Sequence, residues 1–500
     1  MTRFLPSRVR RGASRLARDD AGFVLVFFAV SLSALLGVVG LAFDGARLMT
    51  LDAQLAAVAD ATALAAANRL DRSDGAMRAA REAANALTNR ATYADGPGRG
   101  PRLAFRFAAR LSDLERVGFS LPESAAGQAA YVEVTTAETT LTTSFLQLVG
   151  ATAPPIRRRA VAESQYYACD VTPAVLCQPD PDAFAAAARP GRQYLLRMDG
   201  NALAGSIFLL GRTDRTEPRQ SLRDLASNAP SFCYGDGIAL RRTVTPAEFD
   251  EALNVRFDRY WTRTGAPVAP DLARFPPAPN IIQGRHLDTC SSLPQGGSIN
   301  PPYSLPRDAA YSSFRLSGSW DQGNGDWKTA PARGGSNRSF TTALDEYIAW
   351  NHDNKSPDIQ ARLREARTRY DLYLMELGLT RATESLPVDT KSYGPSQATM
   401  PTGGPATSAY RFVRESPVPV CYAGGQPAVE ARRRVVYLSV ADCGAFPAAA
   451  TAANLSRRVA KFFLTEPSDL GVTLAEFVGL VRPTDDDGKL RHIVQLVTTD

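Results

Sequence analysis

The chain is 500 residues long, 44% hydrophobic and 22% charged, which exceeds one ordinary domain, suffices for packed cores and excludes wholesale disorder. Its net charge of +6 is concentrated at the start: residues 1–20 hold Arg3, Arg8, Arg10, Arg11, Arg15 and Arg18 against Asp19 and Asp20, leaving +2 for the remainder. A phosphate-binding protein would carry its Lys and Arg on the folded part, so nucleic acid is not an expected partner.

From Ala21 to Phe43 runs a stretch of 23 residues without a charge. As a helix it would be about 34 Å long, enough to cross a hydrocarbon core of roughly 30 Å. A basic cluster before such a span stays cytoplasmic. The expectation is a single-pass protein of the bacterial cytoplasmic (inner) membrane, with residues 1–20 as a cytoplasmic tail and the bulk of the chain periplasmic. A cleaved signal peptide is the rival, with Gly40 and Ala42 small enough for a peptidase, but its apolar core would be only about 7–15 residues. Gly22, Phe23, Phe27, Gly37, Gly40 and Phe43 mark the anchor. Ser31, Ser33, Ala34, Gly37 and Gly40 offer a small-residue face for close helix packing, or else merely tune a lone anchor.

The helical pattern continues past the span to about Leu70. Leu48, Leu51, Leu55, Val58 and Thr62 recur at steps of three and four, and Ala fills nine of the fifteen positions from 53 to 67. Asp44, Leu48, Leu51, Leu55 and Val58 are the expected helix-association residues; the alternative is that the stripe packs on its own domain. A second helix is predicted over 74–87, with Met77, Ala80, Ala84 and Leu87 on one side. Strands follow: Leu103, Phe105, Phe107 and Ala109 alternate with Arg102, Arg106 and Arg110, Val132 and Val134 alternate with Tyr131 and Glu133, and 157–163 pairs back. A long helix on a small antiparallel sheet is a pilin-like arrangement, expected to span 44–168.

Residues 169–500 read as a loop-rich α+β domain. Short strands are predicted at 194–198 and 207–210, and a turn at 323–325 between strands holding Trp320 and Trp327. One helix is predicted over 356–378, capped by Ser356, opened by Pro357 and stopped by Gly378, burying Ile359, Leu363, Ala366, Tyr370, Leu374 and Leu377. A central strand is predicted at 435–440, and a terminal hairpin from 477–482 and 490–497, turning at Asp485–Gly488.

All six cysteines, Cys169, Cys177, Cys233, Cys290, Cys421 and Cys443, follow the span, so disulfides are expected. Six cysteines allow fifteen pairings; spacing suggests 169–177, 421–443 and 233–290. Catalytic signatures are missing: there is no G-x-S-x-G, P-loop or H-E-x-x-H, and only His286, His352 and His492 in the chain. His286 with Cys233 and Cys290 is an incomplete zinc set. The acidic run at 485–487 lacks the Glu of a calcium loop. No catalytic, metal or cofactor residue is assigned.

The stretch from Arg18 to Leu70 resembles the N-terminal segment of the TadE/TadG-like Flp pilus-assembly family. The shared elements are the charges before Gly22, the apolar span, Asp44 after it, and the Ala-rich helix at 54–67. Phe145–Gly150 followed by Arg159–Ala162, the loop from Cys169 to Cys177, and the stretches 254–258, 369–370 and 433–443 are similar to later family segments. The resemblance implies a non-enzymatic anchored component of a tight-adherence (type IVc) pilus system, associating through its N-terminal helix with copies of itself or with other assembly components. Two departures bear on that. The D-x-S-x-S metal site of a von Willebrand A domain is absent, and Phe27 stands where prepilin processing after Gly22 would want Glu. The runner-up is a membrane-tethered envelope enzyme or sensor.

Overall fold

The computed structural model describes residues 20–71, 73, 75–88, 101–149, 152–198, 203–211, 219–227, 232–234, 240–241, 244–282, 290, 304–311, 323–332, 340–353, 355–388, 419, 421–424, 430–441, 458–482, 485 and 489–497. The fold is mixed α+β and divides into two compact units, Met1–Gln165 with His492–Asp500, and Tyr166–Arg491.

The first unit is organised by one helix, α1 (Asp20–Ala67), of 48 residues. It has two chemically different halves. Of the described side chains from 24 to 43, only Gly40 is buried; Leu25 is 73% exposed and Phe27 63%. From Leu51 onward one face is buried: Leu51, Leu55, Ala59, Thr62, Ala63, Ala66 and Ala67. Helix α2 (Ala76–Thr88) lays Ala76, Met77, Ala80 and Ala84 against that alanine stripe, while Leu87 is exposed. Alanine on both surfaces removes the bulk that keeps helices apart.

The two helices cover an antiparallel sheet. Strands β1 (Leu103–Ala108) and β2 (Tyr131–Thr136) pair with Phe105 opposite Val134 and Phe107 opposite Val132. Strand β3 (Arg159–Cys169) follows, with Ala160 opposite Val134 and Ala162 opposite Val132. Phe107, Val132, Val134, Ala160 and Ala162 face the helices because alternate residues of a strand share a face. The opposite face holds Ala108, Val161 and Leu114, with Arg106 and Arg159 paired to Glu133.

The fourth strand of this sheet corrects the sequence reading. The chain's last described strand, β12 (Leu490–Val497), lies beside β3 and forms no hairpin with residues 472–481. Val494 joins the alanine-rich core and Val497 the opposite cluster, so both faces of β12 find apolar partners here.

The second unit is built on a seven-stranded sheet. In chain order its elements are β4 (Ala174–Cys177), α3 (Pro181–Ala187), β5 (Gln193–Arg197), β6 (Ile207–Leu210), α4 (Gln220–Ala226), β7 (Cys233–Tyr234), β8 (Leu240–Arg241), α5 (Pro246–Asn254), α6 (Ala343–Asn351), α7 (Pro357–Arg364), α8 (Arg369–Glu376), β9 (Val435–Ala441), β10 (Val459–Leu464) and β11 (Val472–Val481). The order across the sheet is β5-β11-β10-β9-β4-β6-β8, while β7 pairs with the end of β3. Of the six strand ladders described in this sheet, β4–β9 alone is parallel. Strand β9 is central, as its continuous apolar run predicts. Its side chains serve both faces: Val435 and Tyr437 pack with α6, α7 and α8, whereas Val436 and Leu438 pack with α3, α4 and α5.

Three further expectations are corrected. The predicted single helix over 356–378 is two. Ser356 caps and Pro357 opens α7, but Thr368 and Asp371 form a reciprocal capping box that starts a second helix at Arg369. Ile359 is consequently 47% exposed, while Leu363, Ala366, Tyr370, Leu374 and Leu377 are buried. Trp327 is buried in a turn and not on a strand, with Gly325 at φ +79°; Trp320 and the rest of 312–322 lie outside the described residues. The disulfides are Cys169–Cys233 and Cys290–Cys421, so none of the spacing-based pairs forms. Register decides the first, because Cys169 of β3 and Cys233 of β7 are direct cross-strand partners. Cys177 is also disulfide-bonded, and Cys443 lies outside the described residues.

Candidate functional site

The exposed apolar half of α1 ends abruptly, and residues 142–149 dock where it ends. Gly40 is buried under Phe145, whose ring occupies the space a Cβ would need. Phe145 meets Phe43 edge to face at 6.1 Å between centroids. One turn on, Asp44 is fully buried and accepts the backbone N–H groups of Ser144, Phe145 and Leu146 at 3.2, 2.8 and 2.8 Å. Those amides open the 3-10 turn Leu146–Val149, whose first N–H groups have no partner within the turn. Asp44 therefore acts as an N-cap from a hundred residues away. Burial pushes its carboxyl up, but the three backbone donors and the nearby Arg47 outweigh this and hold it below the ordinary carboxylate range. Arg47 reaches the Thr142 carbonyl at 3.4 Å and stands 5.9 Å from the Phe43 ring.

The docking continues along the helix. Leu51 and Leu55 are buried against Leu141 and Ala153, with Leu48 and Ile156 at the margin. Arg158 forms a two-pronged ion pair with Asp52. The expected association residues are thus divided. Asp44, Leu51 and Leu55 are covered by the unit's own chain and are closed to a partner helix, while Leu48 and Val58 are half-buried. In the apolar half, Gly37 is open, with nothing within 4 Å of a Cβ built on it, whereas Gly40 is already taken. Phe27 and Phe43 are exposed, and Gly22 and Phe23 lie in α1 with their side chains outside the description. Phe145 as the cover of Gly40 was not legible; the only hint was an aromatic residue inside the apolar-rich stretch 141–149.

Two histidine clusters were also beyond sequence. His492 Nε2 lies 2.9 Å from Ser164 Oγ, and that hydroxyl donates to the Leu70 carbonyl at 3.2 Å. Burial lowers the His492 pKa against the opposing charge of Asp71. A serine nucleophile needs a reachable hydroxyl; Ser164 is fully buried with its proton committed, so the trio ties β12, β3 and the end of α1 together. In the second unit, Glu376 accepts from Tyr347 Oη at 2.6 Å and Asn280 Nδ2 at 2.6 Å, and lies 2.9 Å from His352 Nε2. His286 lies outside the described residues, and Cys233 and Cys290 are both committed to disulfides.

Arg369, like Arg256, is a fully buried hydrogen-bonding hub of the second unit. It is 0% exposed, and all five of its N–H groups donate: Nε to the Pro306 carbonyl, Nη1 to the Gly191 carbonyl and Glu476, and Nη2 to Gln193 and Asp308. Burial raises the Glu476 pKa, and Arg369 with two backbone amides opposes it.

No protein family, curated protein or solved structure matches the chain.

Proposed function

We propose that this chain is a membrane-anchored, non-enzymatic component of a Flp (tight-adherence) pilus-assembly system, with a pilin-like first unit and a second unit that serves as an exported docking domain. The observation that carries it is the division of α1. Its first half exposes an uninterrupted apolar surface, and its second half is buried in a folded unit. An apolar surface of that extent is unstable in water and belongs in lipid or against other helices. The buried Asp44 at the boundary is the charged residue that the family resemblance picks out. The disulfides suit a position outside the reducing cytosol. Association within the bilayer would use the side of α1 that carries Gly37, since Gly40 is occupied.

The test is a pilus count in a strain lacking the protein, complemented with the wild type or with Gly37→Leu. Loss of pili, restoration by the wild type and weak restoration by Gly37→Leu are expected. Normal piliation without the protein ends the proposal. Protease treatment of sealed spheroplasts checks the anchoring: the second unit should be digested while residues 1–20 remain protected.

A further inference from the structure

We propose that the turn opened by Phe145 is a second membrane contact of the first unit, seated in the outer interface of the bilayer beside α1. The inference rests on the membrane anchoring of α1 and on no other part of the pilus reading. A hydrocarbon core of roughly 30 Å takes up about 20 helical residues at ~1.5 Å each. Counted from Ala21, the first residue after the charge of Asp20, that core ends near Leu41. Phe145 lies across Gly40 and meets the Phe43 ring at 6.1 Å, so it stands at the level where the core ends and not above it. Phe145 is itself 39% exposed. At the same level of α1, Val39, Leu41 and Phe43 are exposed, so a bilayer that covers them reaches Phe145 as well.

Asp44 gives the physical reason for a turn at this depth. A helix leaving lipid brings its first charge close to hydrocarbon, where an unsolvated carboxylate is costly. Asp44 lies one turn past Gly40, yet it is fully buried, and its oxygens accept the amides of Ser144, Phe145 and Leu146. The backbone that supplies those amides therefore stands between the carboxylate and the surrounding lipid. Its inner side is a row of N–H groups; its outer side presents Phe145, an apolar surface suited to that level. The first unit thus meets the bilayer at two points about a hundred residues apart in sequence. A lone helix is free to tilt, and contacts at the interface limit that freedom. The docked turn therefore sets how the first sheet stands on the membrane.

Fluorescence quenching of the full-length protein in phosphatidylcholine vesicles tests this. Phe145→Trp is compared with Phe27→Trp in the span and with Val117→Trp. Val117 is fully exposed beyond the Ala108 end of β1, whereas residues 142–149 follow the opposite end of the paired strands, at Thr136. Each variant is read as the signal added to the wild type, whose own tryptophans begin at Trp261. Lipid brominated high in the acyl chain should quench the Phe145→Trp signal at least about twofold more than lipid brominated near the chain end. The Phe27→Trp signal should be quenched in both lipids and the Val117→Trp signal in neither. Because a larger ring strains the contact with Gly40, a measurement on the wild type stands beside it and decides where the two disagree. A phospholipid carrying a photoactivatable diazirine near its headgroup should label the peptide that contains Phe145 and not the one that contains Val117. No labelling there, with Phe145→Trp quenched no more than Val117→Trp while Phe27→Trp is quenched, overturns the placement of the turn and leaves the anchor standing. An unquenched Phe27→Trp overturns the anchor and the turn with it.

Discussion

Phe145 lies across Gly40 so closely that a Cβ on the glycine would stand 2.5 Å from its ring atoms and 2.9 Å from its own Cβ. That contact lies one turn from Asp44, and together they fix residues 142–149 to the helix where its exposed apolar half ends.

Gly40→Leu and Gly37→Leu should therefore separate. The first must push Phe145 off and pull Ser144, Phe145 and Leu146 from Asp44, destabilising the first unit by roughly 1–3 kcal/mol. The second meets open space and should leave that stability unchanged while acting on association. Hydrogen exchange at the amides of 144–146 in detergent reads the difference; equal protection in both variants would contradict the docking.

Arg369→Met should destabilise the second unit by about 3–5 kcal/mol, because Asp308 and Glu476 would remain buried without their cation. Urea unfolding followed by Trp fluorescence measures it. A loss under about 1 kcal/mol would mean the cluster relaxes by taking up protons or water.

Asp250 gives the clearest pH dependence. Burial pushes its carboxyl up to about 6, against the opposing donors Ser468 and Gly471 and with Asp469 nearby. The folded state then holds a proton that the unfolded state releases near pH 3.8, so this residue's contribution is full below that pH and is lost as pH rises through about 6. Asp250→Asn keeps the acceptor and cannot ionise. It should be more stable than wild type at pH 7.5 by about 1–3 kcal/mol, with the gain vanishing near pH 4. Melting curves across that range decide; a gain independent of pH would remove the assignment.

The division of the chain predicts a minimal first unit. The Cys169 amide donates to the Lys489 carbonyl at 2.7 Å, so these two positions are already adjacent. Replacing residues 170–488 by Asn-Gly, with Cys169→Ala, should leave a folded, protease-resistant first unit, since Asn-Gly favours a two-residue hairpin turn. Truncation after residue 169 should fail by the same assay because it removes β12.

What was legible in sequence was local. The extent of α1 follows from an uncharged run joined to a 3.6-residue stripe, and β1 and β2 from plain alternation. The break before Arg369 hid inside an otherwise continuous helical spacing; only the Thr368–Asp371 pair signalled it, and the reason for it is that Arg369 must reach Asp308 and Glu476. The misread final hairpin rested on nearness in sequence, whereas the partner of β12 is β3. The cysteine pairs failed likewise: Cys290 and Cys421 are 131 residues apart, and spacing carries no trace of that distance. Asp44 stood out by position, but its role as a remote cap depends on backbone amides that sequence does not distinguish.

The place of β12 also sets an order of events during synthesis. The ribosome delivers β3 and then the whole of Tyr166–Arg491 before the strand that covers the open edge of β3 exists. Until then the first sheet presents unpaired amides and carbonyls along β3, a surface prone to wrong pairing. A chain interrupted anywhere in between would leave that edge uncovered, so the first unit closes only after the second has been synthesised.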